Sequence, residues 1–432
     1  MSAELIGLIG ILLLFVFLAF KMYIGIAMAL IGFAGVSLIV NLDAGLNLLG
    51  MSPWAEGSSY SMSVIPLFVL MGQFAFVSGI SQDIYKTVHN WMGHLRGGLA
   101  MATIVACAGF AAVCGSSLAT GATMAKVAIP EMRKYGYDLS LATGCVAAGG
   151  TLGILIPPSI GFIIYGLLTE ESIGKLFMAG IIPGILLAFL FLLAIYIQCR
   201  LNPNMGPKAE PTTWKTKFTS LYGTWPMLSL FVLVMGGIYF GVFTPTEAAG
   251  IGAFGSFVIT LGKKKLNFKT LIDSLLITGN MTAMIFLIII GANIFSSFLA
   301  LTGIPFMLAD GIVALALPRM VVLLMIIIVF VLLGCVMDCF AIMILMVPIL
   351  FPILQAMNFN PIWFGVIMVI VLEVGLITPP VGMNVFVIKG AVPDVPLTTM
   401  FKGVWPFLIA AIICIGLLTL FPQIALFLPS NM

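Results

Sequence analysis

Small polar clusters interrupt the apolar sequence at four places, and their residue types are the ones able to do chemistry. The clusters are Gly-Ser-Ser-Leu-Ala-Thr at residues 115–120, Gly-Ile-Leu-Ile-Pro-Pro-Ser at 153–159, Gly-Cys-Val-Met-Asp at 334–338 and Gly-Leu-Ile-Thr-Pro-Pro at 375–380. They form two ordered pairs with similar spacing. Helix-breaking residues at matching positions of two repeats are typical of the binding site of a secondary transporter. The pattern therefore predicts a site built from interrupted helices.

Interrupted membrane helices offer two kinds of ligand. Carbonyl oxygens freed at the end of one half-helix, with nearby hydroxyls, form an oxygen cage suited to Na⁺, whereas amides at the start of the next half-helix favour an anion. The predicted first cage consists of Ser116, Ser117 and the carbonyls of residues 153–158, and the second of Asp338, Thr378 and the carbonyls near Gly334 and Gly375. Two cages predict at least two Na⁺ sites.

Asp338 is the ionisable residue of these clusters. A carboxylate at a hairpin tip inside a membrane is costly unless it has a partner, and a bound cation supplies that partner. Its alternative role is to cap the exposed amides of the following half-helix, and the two roles are compatible.

Glu373, about one turn before the last cluster, either relays protons or has a structural role. Asn293 is expected to interrupt the run 271–299 and to face the site or hydrogen-bond a neighbouring helix.

The composition defines the broad class of protein. Of the 432 residues, 62% are hydrophobic and only 8% charged, and the mean hydropathy is +1.24. Soluble domains carry about a quarter charged residues, so a polytopic membrane protein is predicted. A net charge of +3 is too small to indicate binding to nucleic acid. The seven cysteines lie in apolar segments without metal-site spacing and are interpreted as small buried hydrophobic residues.

The apolar runs predict an all-α fold with inverted repeats. Ten runs are long enough to cross much of a bilayer, which needs about 20 residues. Segments 97–130 and 320–354 are interrupted midway and are predicted to be re-entrant hairpins; the alternative is a long helix followed by a loop. Runs 139–168 and 361–390 are predicted broken helices. The predicted division is an N-terminal scaffold at 1–63, a first transport repeat with an interfacial arm at 64–200, a central scaffold with basic loops at 201–270, and a second transport repeat at 271–432.

The charge distribution orients this topology. With the N-terminus outside, nearly all lysines and arginines fall on one side, and only Lys175 and Arg319 fall on the other. The positive-inside bias makes the lysine-rich side cytoplasmic. Both termini are then expected in the periplasm. The first hairpin opens from the cytoplasm and the second from the exterior, so the two repeats run in opposite directions.

These motifs resemble the large membrane subunit of the TRAP (tripartite ATP-independent periplasmic) transporters. The resemblance covers nearly the whole chain and is carried by Cys-Gly-Ser-Ser-Leu-Ala-Thr at 114–120, Ala-Ile-Pro-Glu-Met at 128–132, the Pro-Pro motif at 153–159, Phe-Thr-Pro-Thr-Glu-Ala at 243–248 and Ile-Thr-Pro-Pro-Val-Gly at 377–382. The sequence differs from the family pattern at Gln73, where many members carry Asn. The family implies a Na⁺-coupled importer of organic acid anions that works by an elevator mechanism in a bacterial or archaeal inner membrane, and not an enzyme.

The resemblance also implies partners and site residues. A small four-helix membrane subunit is expected to brace the chain within the lipid, and a periplasmic binding protein is expected to deliver the substrate, docking near the external loop at 43–60. The predicted substrate-binding residues are Ser116, Ser117, Thr120, Pro158, Asn293, Thr378 and Asn384. The predicted Na⁺ ligands are Ser116, Gly153, Ile156, Pro158, Gly334, Asp338, Gly375, Thr378 and Pro380.

Three alternatives remain open at this point. A self-sufficient divalent-anion/Na⁺ symporter of related inverted-repeat plan would need no binding protein, but the relatives considered carry Ser-Asn-Thr at their breaks. An intramembrane hydrolase would need a nucleophile with a base or a metal cluster, and neither histidine lies within a span. A passive channel would need an open pore, and two blocked hairpins that face opposite sides suit a transporter with alternating access better. The half-helix N-termini indicate a carboxylate or sulfonate substrate.

Overall fold

The computed structural model describes residues 2–432, and all regular secondary structure in that range is helical. The helices are α1 (Ala3–Ala19), α2 (Ile24–Ile39), α3 (Leu42–Gly57), α4 (Val64–Val77), α5 (Ile80–Met92), α6 (Gly98–Cys114), α7 (Ser117–Lys134), α8 (Leu139–Leu155), α9 (Ile160–Thr169), α10 (Ile173–Leu201), α11 (Trp214–Tyr239), α12 (Pro245–Gly262), α13 (Phe268–Thr302), α14 (Ile304–Ala314), α15 (Arg319–Gly334), α16 (Cys339–Ala356), α17 (Pro361–Ile377), α18 (Met383–Ala391), α19 (Leu397–Leu420) and α20 (Gln423–Leu426). The all-α prediction is confirmed.

The helices repeat in order. Two helices, a hairpin, a broken helix and a long helix occur in this order as α4–α10 and again as α13–α19. Each hairpin half has 16 to 18 residues. At about 1.5 Å per residue a half measures roughly 24–27 Å, somewhat less than the hydrocarbon core. The structure therefore contains the predicted hairpin and broken helix in each half of the chain.

The turns of the hairpins follow from their sequences. Gly115 and Ser116 alone join α6 to α7, and Gly115 has a φ of +63°, a left-handed conformation that glycine adopts without a Cβ penalty. We call residues 115–116 the first tip. Residues 335–338, between α15 and α16, form the second tip. Asp338 ends this segment as the N-cap of α16.

The two broken helices are interrupted at Pro-Pro pairs. Residues 156–159 separate α8 from α9, whose axes differ by 41°, and residues 378–382 separate α17 from α18. Proline has no backbone N–H and cannot continue the helical ladder. The Pro157-Pro158 and Pro379-Pro380 peptide bonds are both cis. We call these segments the first break and the second break.

The two broken helices also form the centre of the molecule. Nearly every residue of α8 and of α17 is buried. α8 packs against α6, α7 and α19, and α17 packs against α15, α8 and α10. Farther out, α13 packs along α2, and α4 packs along α12. Large apolar side chains such as Leu38, Phe240 and Leu420 are exposed on the outer surface, as expected for residues that face lipid.

By length and composition, five helices can cross a membrane, or up to seven if each of two bent pairs counts as one span. The sequence predicted ten spanning runs, which include α1 and α2, helices of 17 and 16 residues. Such helices are slightly short of a straight span, so their crossing remains a prediction.

Three expected features are wrong. α13 is not interrupted near Asn293, because the helix continues through this residue and Ser297 Oγ donates to the Asn293 carbonyl at 3.0 Å. No separate arm follows the broken helices among residues 2–432, since the chain continues at Ile173 directly into the 29-residue α10. The expected external loop at 43–60 is largely the helix α3, whose N-cap Asn41 accepts a hydrogen bond from Ala44 N at 2.8 Å.

Candidate ion and substrate site at the hairpin tips

The first tip packs tightly against the first broken helix. A Cβ on Gly153 would lie 2.6 Å from the Ser116 carbonyl oxygen, and a Cβ on Gly115 would lie 2.9 Å from the Pro158 carbonyl oxygen. Both distances are shorter than an ordinary van der Waals contact, so only glycine permits this approach. The two close contacts bring the carbonyls of Ser116 and Pro158 to the same junction. Ile156, which ends α8 in an extended conformation, lies in the break beside them.

This junction unites the four predicted ligands of the first Na⁺ cage: Ser116, Gly153, Ile156 and Pro158. Ser116 is also the N-cap of α7, and its hydroxyl accepts from Ala119 N at 3.4 Å. Carbonyl and hydroxyl oxygens are the donors that hard cations prefer. The donor set therefore fits Na⁺.

The second tip meets the second broken helix in the same way. A Cβ on Gly375 would lie 2.7 Å from the Gly334 Cα, so the backbones of α15 and α17 touch here. Thr378 N donates to the Gly375 carbonyl at 3.1 Å, and Thr378 Oγ1 donates to the Val374 carbonyl at 2.6 Å. Gly334, Gly375 and Thr378 of the predicted second cage are thus brought together. Pro380, which follows in the break, is exposed.

Asp338 caps the second half of the second hairpin. Its carboxylate accepts from Phe340 N at 3.0 Å, and the side chain is half-buried. The Cys339 thiol donates a second, weak hydrogen bond at 4.0 Å, and the two bonds leave acceptor sites of an ionised carboxylate available. The capping role that the sequence left open is therefore present, and it does not occupy the oxygens that a cation would need.

Four buried polar side chains between the two hairpins have no hydrogen-bond partner. They are Ser117, Thr120, Glu373 and Asn384, each no more than 2% exposed. The Glu373 carboxyl lies near the Ser117 hydroxyl of the first hairpin and Asp338 of the second, without a hydrogen bond to either. A buried polar group without a partner costs on the order of 1–3 kcal/mol. Such a group is retained where it serves a ligand or a second conformation, and three of these four were predicted as substrate-binding residues.

Glu373 was absent from the predicted site residues. Its only sequence signal was a carboxylate inside an apolar run. Intramembrane ionisable residues are functional candidates by default. The structure adds that Glu373, on the second broken helix, lies beside Ser117 of the first hairpin, so it joins the two repeats.

Two of the protein's cavities are lined by polar side chains, and the first of them reaches the first tip. The first, of about 500 Å³, is lined by Ser116, Cys114, Gln73, Thr123, Lys126 and Lys265, among others. We call it the lysine-lined cavity. The second, of about 990 Å³, is lined by Glu56, Tyr60, Glu170, Glu171, Asn293 and Ser297, among others. We call it the glutamate-lined cavity.

Asn293 lies apart from the other predicted substrate residues. It lines the glutamate-lined cavity, whereas Ser116 lines the other one. Its side-chain amide donates to Glu56 Oε1 at 2.7 Å. This bond joins α13 to α3, the helix-to-helix role that the sequence left as an alternative. Residues 2–432 contain no group of three or more His, Cys, Asp or Glu side chains able to hold a metal ion.

An ion pair outside the spans links the two repeats. Arg133 at the end of α7 lies 2.7 Å from Asp394, which is in the segment between α18 and α19. The hydrogen bond from Arg133 lowers the pKa of Asp394. Both side chains are solvent-accessible, so the pair contributes little stability.

The paired hairpins, the broken helices and the apolar outer surface define a multi-pass inner-membrane transport protein, not an enzyme. The family model described as "Tripartite ATP-independent periplasmic transporter, DctM component" matches residues 11–424. The chain belongs to this family and is a TRAP transporter large permease.

Individual relatives agree with the family model. The C4-dicarboxylate TRAP transporter large permease protein DctM of Pseudomonas aeruginosa is 37% identical over 385 residues, which cover 88% of this chain and 89% of that protein. The isethionate TRAP transporter permease protein DctMQ of Oleidesulfovibrio alaskensis is 33% identical over 96% of this chain and 65% of that protein. The solved structure of the Alcanivorax borkumensis YdaH transporter has a TM-score of 0.68, covers 90% of this chain and 91% of its own, and is 16% identical. That last likeness concerns the fold alone.

Proposed function

We propose that this permease imports an organic acid anion, a carboxylate or a sulfonate, together with Na⁺. The observation that carries the proposal is the packing of each tip against its own break, where Gly153 meets Ser116 and Gly375 meets Gly334. Each junction gathers backbone carbonyls with a side-chain oxygen inside the apolar core. Oxygen-only donor sets select hard cations.

The anion is assigned to the space between the two tips. α7 and α16 both begin there, and the N-termini of helices carry partial positive charge. Ser117, Thr120 and Asn384 offer unpartnered donors nearby. The cargoes in the names of the relatives, a C4-dicarboxylate and isethionate, are small organic anions with carboxylate or sulfonate groups.

The packing also supports an elevator motion. α7 packs on α18, α8 on α17, and α9 on α16, so the hairpins and breaks of both repeats interlock as one body. α13 packs along α2, and α4 along α12, and we assign these helices to the stationary scaffold. The lysine-lined cavity lies between the two bodies on the side predicted to be cytoplasmic, which we interpret as an inward-facing state. The proposed partners are a small membrane subunit that enlarges the scaffold and a periplasmic binding protein that delivers the anion.

Reconstituted transport tests the proposal. Proteoliposomes that contain the large and small subunits, with the loaded binding protein outside, should accumulate labelled substrate only when an inward Na⁺ gradient is present. Replacement of external Na⁺ by K⁺ at equal ionic strength should abolish uptake. Uptake that persists on a proton gradient alone would contradict Na⁺ coupling. Robust uptake of free anion without the binding protein would favour the self-sufficient symporter.

A further inference from the structure

The lysine-lined cavity carries positive charge that no neighbouring carboxylate neutralises. Lys126 and Lys265 line it and are exposed, and no aspartate or glutamate is among the described residues of its wall. The two ion pairs within residues 2–432 are Arg133 with Asp394 and Lys263 with Asp83, so neither cavity lysine is in one. The remaining polar lining is uncharged and includes Gln73, Gln82 and Thr123.

Lys126 is aligned with the first tip. Ser116, Ala119, Thr123 and Lys126 recur along the start of α7 at spacings of three or four residues, which places them on one face of that helix. Ten residues of helix correspond to about 15 Å. Lys126 thus lies about three turns from Ser116 along the same wall. An anion that leaves the tip through this cavity must pass this ammonium group.

The glutamate-lined cavity has the opposite charge. Glu56, Glu170 and Glu171 line it, and no lysine or arginine is among its described lining residues. Cavities lined by charge of one sign concentrate counter-ions within them. The two sides of the protein therefore attract ions of opposite sign.

We propose that the lysine-lined cavity is an anion-attracting release site, with Lys126 as its principal charge, and that the glutamate-lined cavity attracts cations. This inference rests on the proposed import of an organic anion. It assigns Lys126 a positioning role: the residue draws the anionic group away from the Ser116 tip towards the side from which it is released. Lys265 extends the same positive field at the opposite wall.

Charged thiol reagents measure this field without knowledge of the substrate. Cys114 is the one cysteine that is not buried, so Cys114→Ala gives a suitable background. In the purified protein, Ala122→Cys places a thiol in the lysine-lined cavity, and Ser297→Cys places one in the other cavity. The probes are the anionic sulfonatoethyl and the cationic trimethylammonioethyl methanethiosulfonates, and the readout is the ratio of their reaction rates.

We expect the anionic reagent to be favoured at Ala122→Cys and the cationic reagent at Ser297→Cys. Lys126→Gln should lower the anionic-to-cationic ratio at Ala122→Cys about fivefold, because one charge acts with opposite sign on the two reagents. Lys126→Arg should retain the ratio, and the effect should shrink in high salt. Lys134→Gln, an equal change of charge near the end of the same helix but outside the cavity, is the matched control.

Equal ratios at the two cysteines would overturn the inference, and so would a Lys126→Gln protein that behaves like Lys134→Gln. These outcomes are distinct from a failure of the proposed function, which would appear as absent Na⁺-driven uptake by the wild-type complex. The rates are measured on folded protein that retains its thermal unfolding transition, so a structural defect is recognised separately.

Discussion

The contact between Gly153 and the first tip offers the sharpest test of the ion site. Gly153→Ala adds one methyl group to α8 and no charge or polarity. That methyl carbon would lie 2.6 Å from the Ser116 carbonyl oxygen, 2.7 Å from its carbonyl carbon and 2.8 Å from the Ser117 Cα. All three atoms belong to the backbone, so no side-chain rotation relieves the overlap.

The size of the effect follows from these distances. Ordinary van der Waals contact begins near 3.4 Å, so the tip and α8 must separate by about 0.8 Å. Metal–ligand distances tolerate about 0.2 Å. A shift of this size removes the Ser116 carbonyl from the first coordination shell. We expect Na⁺ to bind about tenfold more weakly or worse, which corresponds to about 1.4 kcal/mol per tenfold. Overpacking of the core should also lower the free energy of unfolding by about 1–3 kcal/mol.

Thermal unfolding in a Na⁺ titration separates the two effects. A bound ion raises the melting temperature with its own concentration dependence, whereas loss of packing lowers the temperature at every Na⁺ concentration. K⁺ at equal ionic strength serves as the reference salt. Gly121→Ala is the matched control. Gly121 lies in α7, the helix that follows the first tip; it is buried, and an added Cβ there would have no atom within 4 Å. This substitution should leave the Na⁺ dependence unchanged.

The reasoning would be refuted by a folded Gly153→Ala protein whose Na⁺ half-saturation equals that of the wild type. In that case the junction of the first tip and the first break would be a packing contact only. An equal loss of Na⁺ affinity in Gly121→Ala would also count against it, because that substitution meets no neighbour and the effect would then be unspecific.

Two further predictions concern the caps. Asp338→Asn keeps the acceptor for Phe340 N but removes the charge that balances a cation, whereas Ser116→Ala removes one neutral ligand. Both substitutions should raise the Na⁺ concentration for half-maximal uptake, Asp338→Asn by more, with near-normal melting temperatures. An unchanged Na⁺ dependence in both variants would make these residues structural. At the start of α8, burial opposes ionisation of Asp138, but hydrogen bonds from Ser140 and the charge of Lys402 outweigh it and lower its pKa. Because the folded value lies below the unfolded one, Asp138→Ala should cost about 1 kcal/mol of stability near pH 7, and the difference from wild type should vanish as the pH falls through the folded pKa. Unfolding at several pH values checks this, and a difference that grows on acidification would contradict it.

Local composition sufficed to predict the elements that carry the site. The Gly-Ser-Ser cluster predicted the interruption of the first hairpin, and the structure gives the reason: Gly115 adopts a left-handed backbone and Ser116 caps the following helix. The two Pro-Pro pairs predicted helix breaks because proline has no N–H to donate. The capping role of Asp338, which the sequence left as an alternative to cation binding, is present in the structure. The membrane class and the family followed from composition and motifs that require no knowledge of contacts.

The interior of long helices was predicted less well. Asn293 and its serine neighbours were expected to interrupt α13, but a serine hydroxyl can donate to the carbonyl one turn earlier, as Ser297 does. Polar residues in a membrane helix therefore do not by themselves indicate a break. The helix α3 was missed because its sequence, with Pro53 inside it, resembles a loop.

The sequence by itself determined the membrane class, the family and the four helix breaks, because each depends on composition or on residues within a few positions of one another. Only the tertiary structure decided how closely the tips and breaks approach and which residues of the two repeats lie together. It placed Gly153 against Ser116, brought Glu373 beside Ser117 across the two repeats, and separated Asn293 from the tips. It also divided the charges between a lysine-lined and a glutamate-lined cavity. The physical reason is that these contacts depend on the packing of whole helices, which no local pattern of residues encodes.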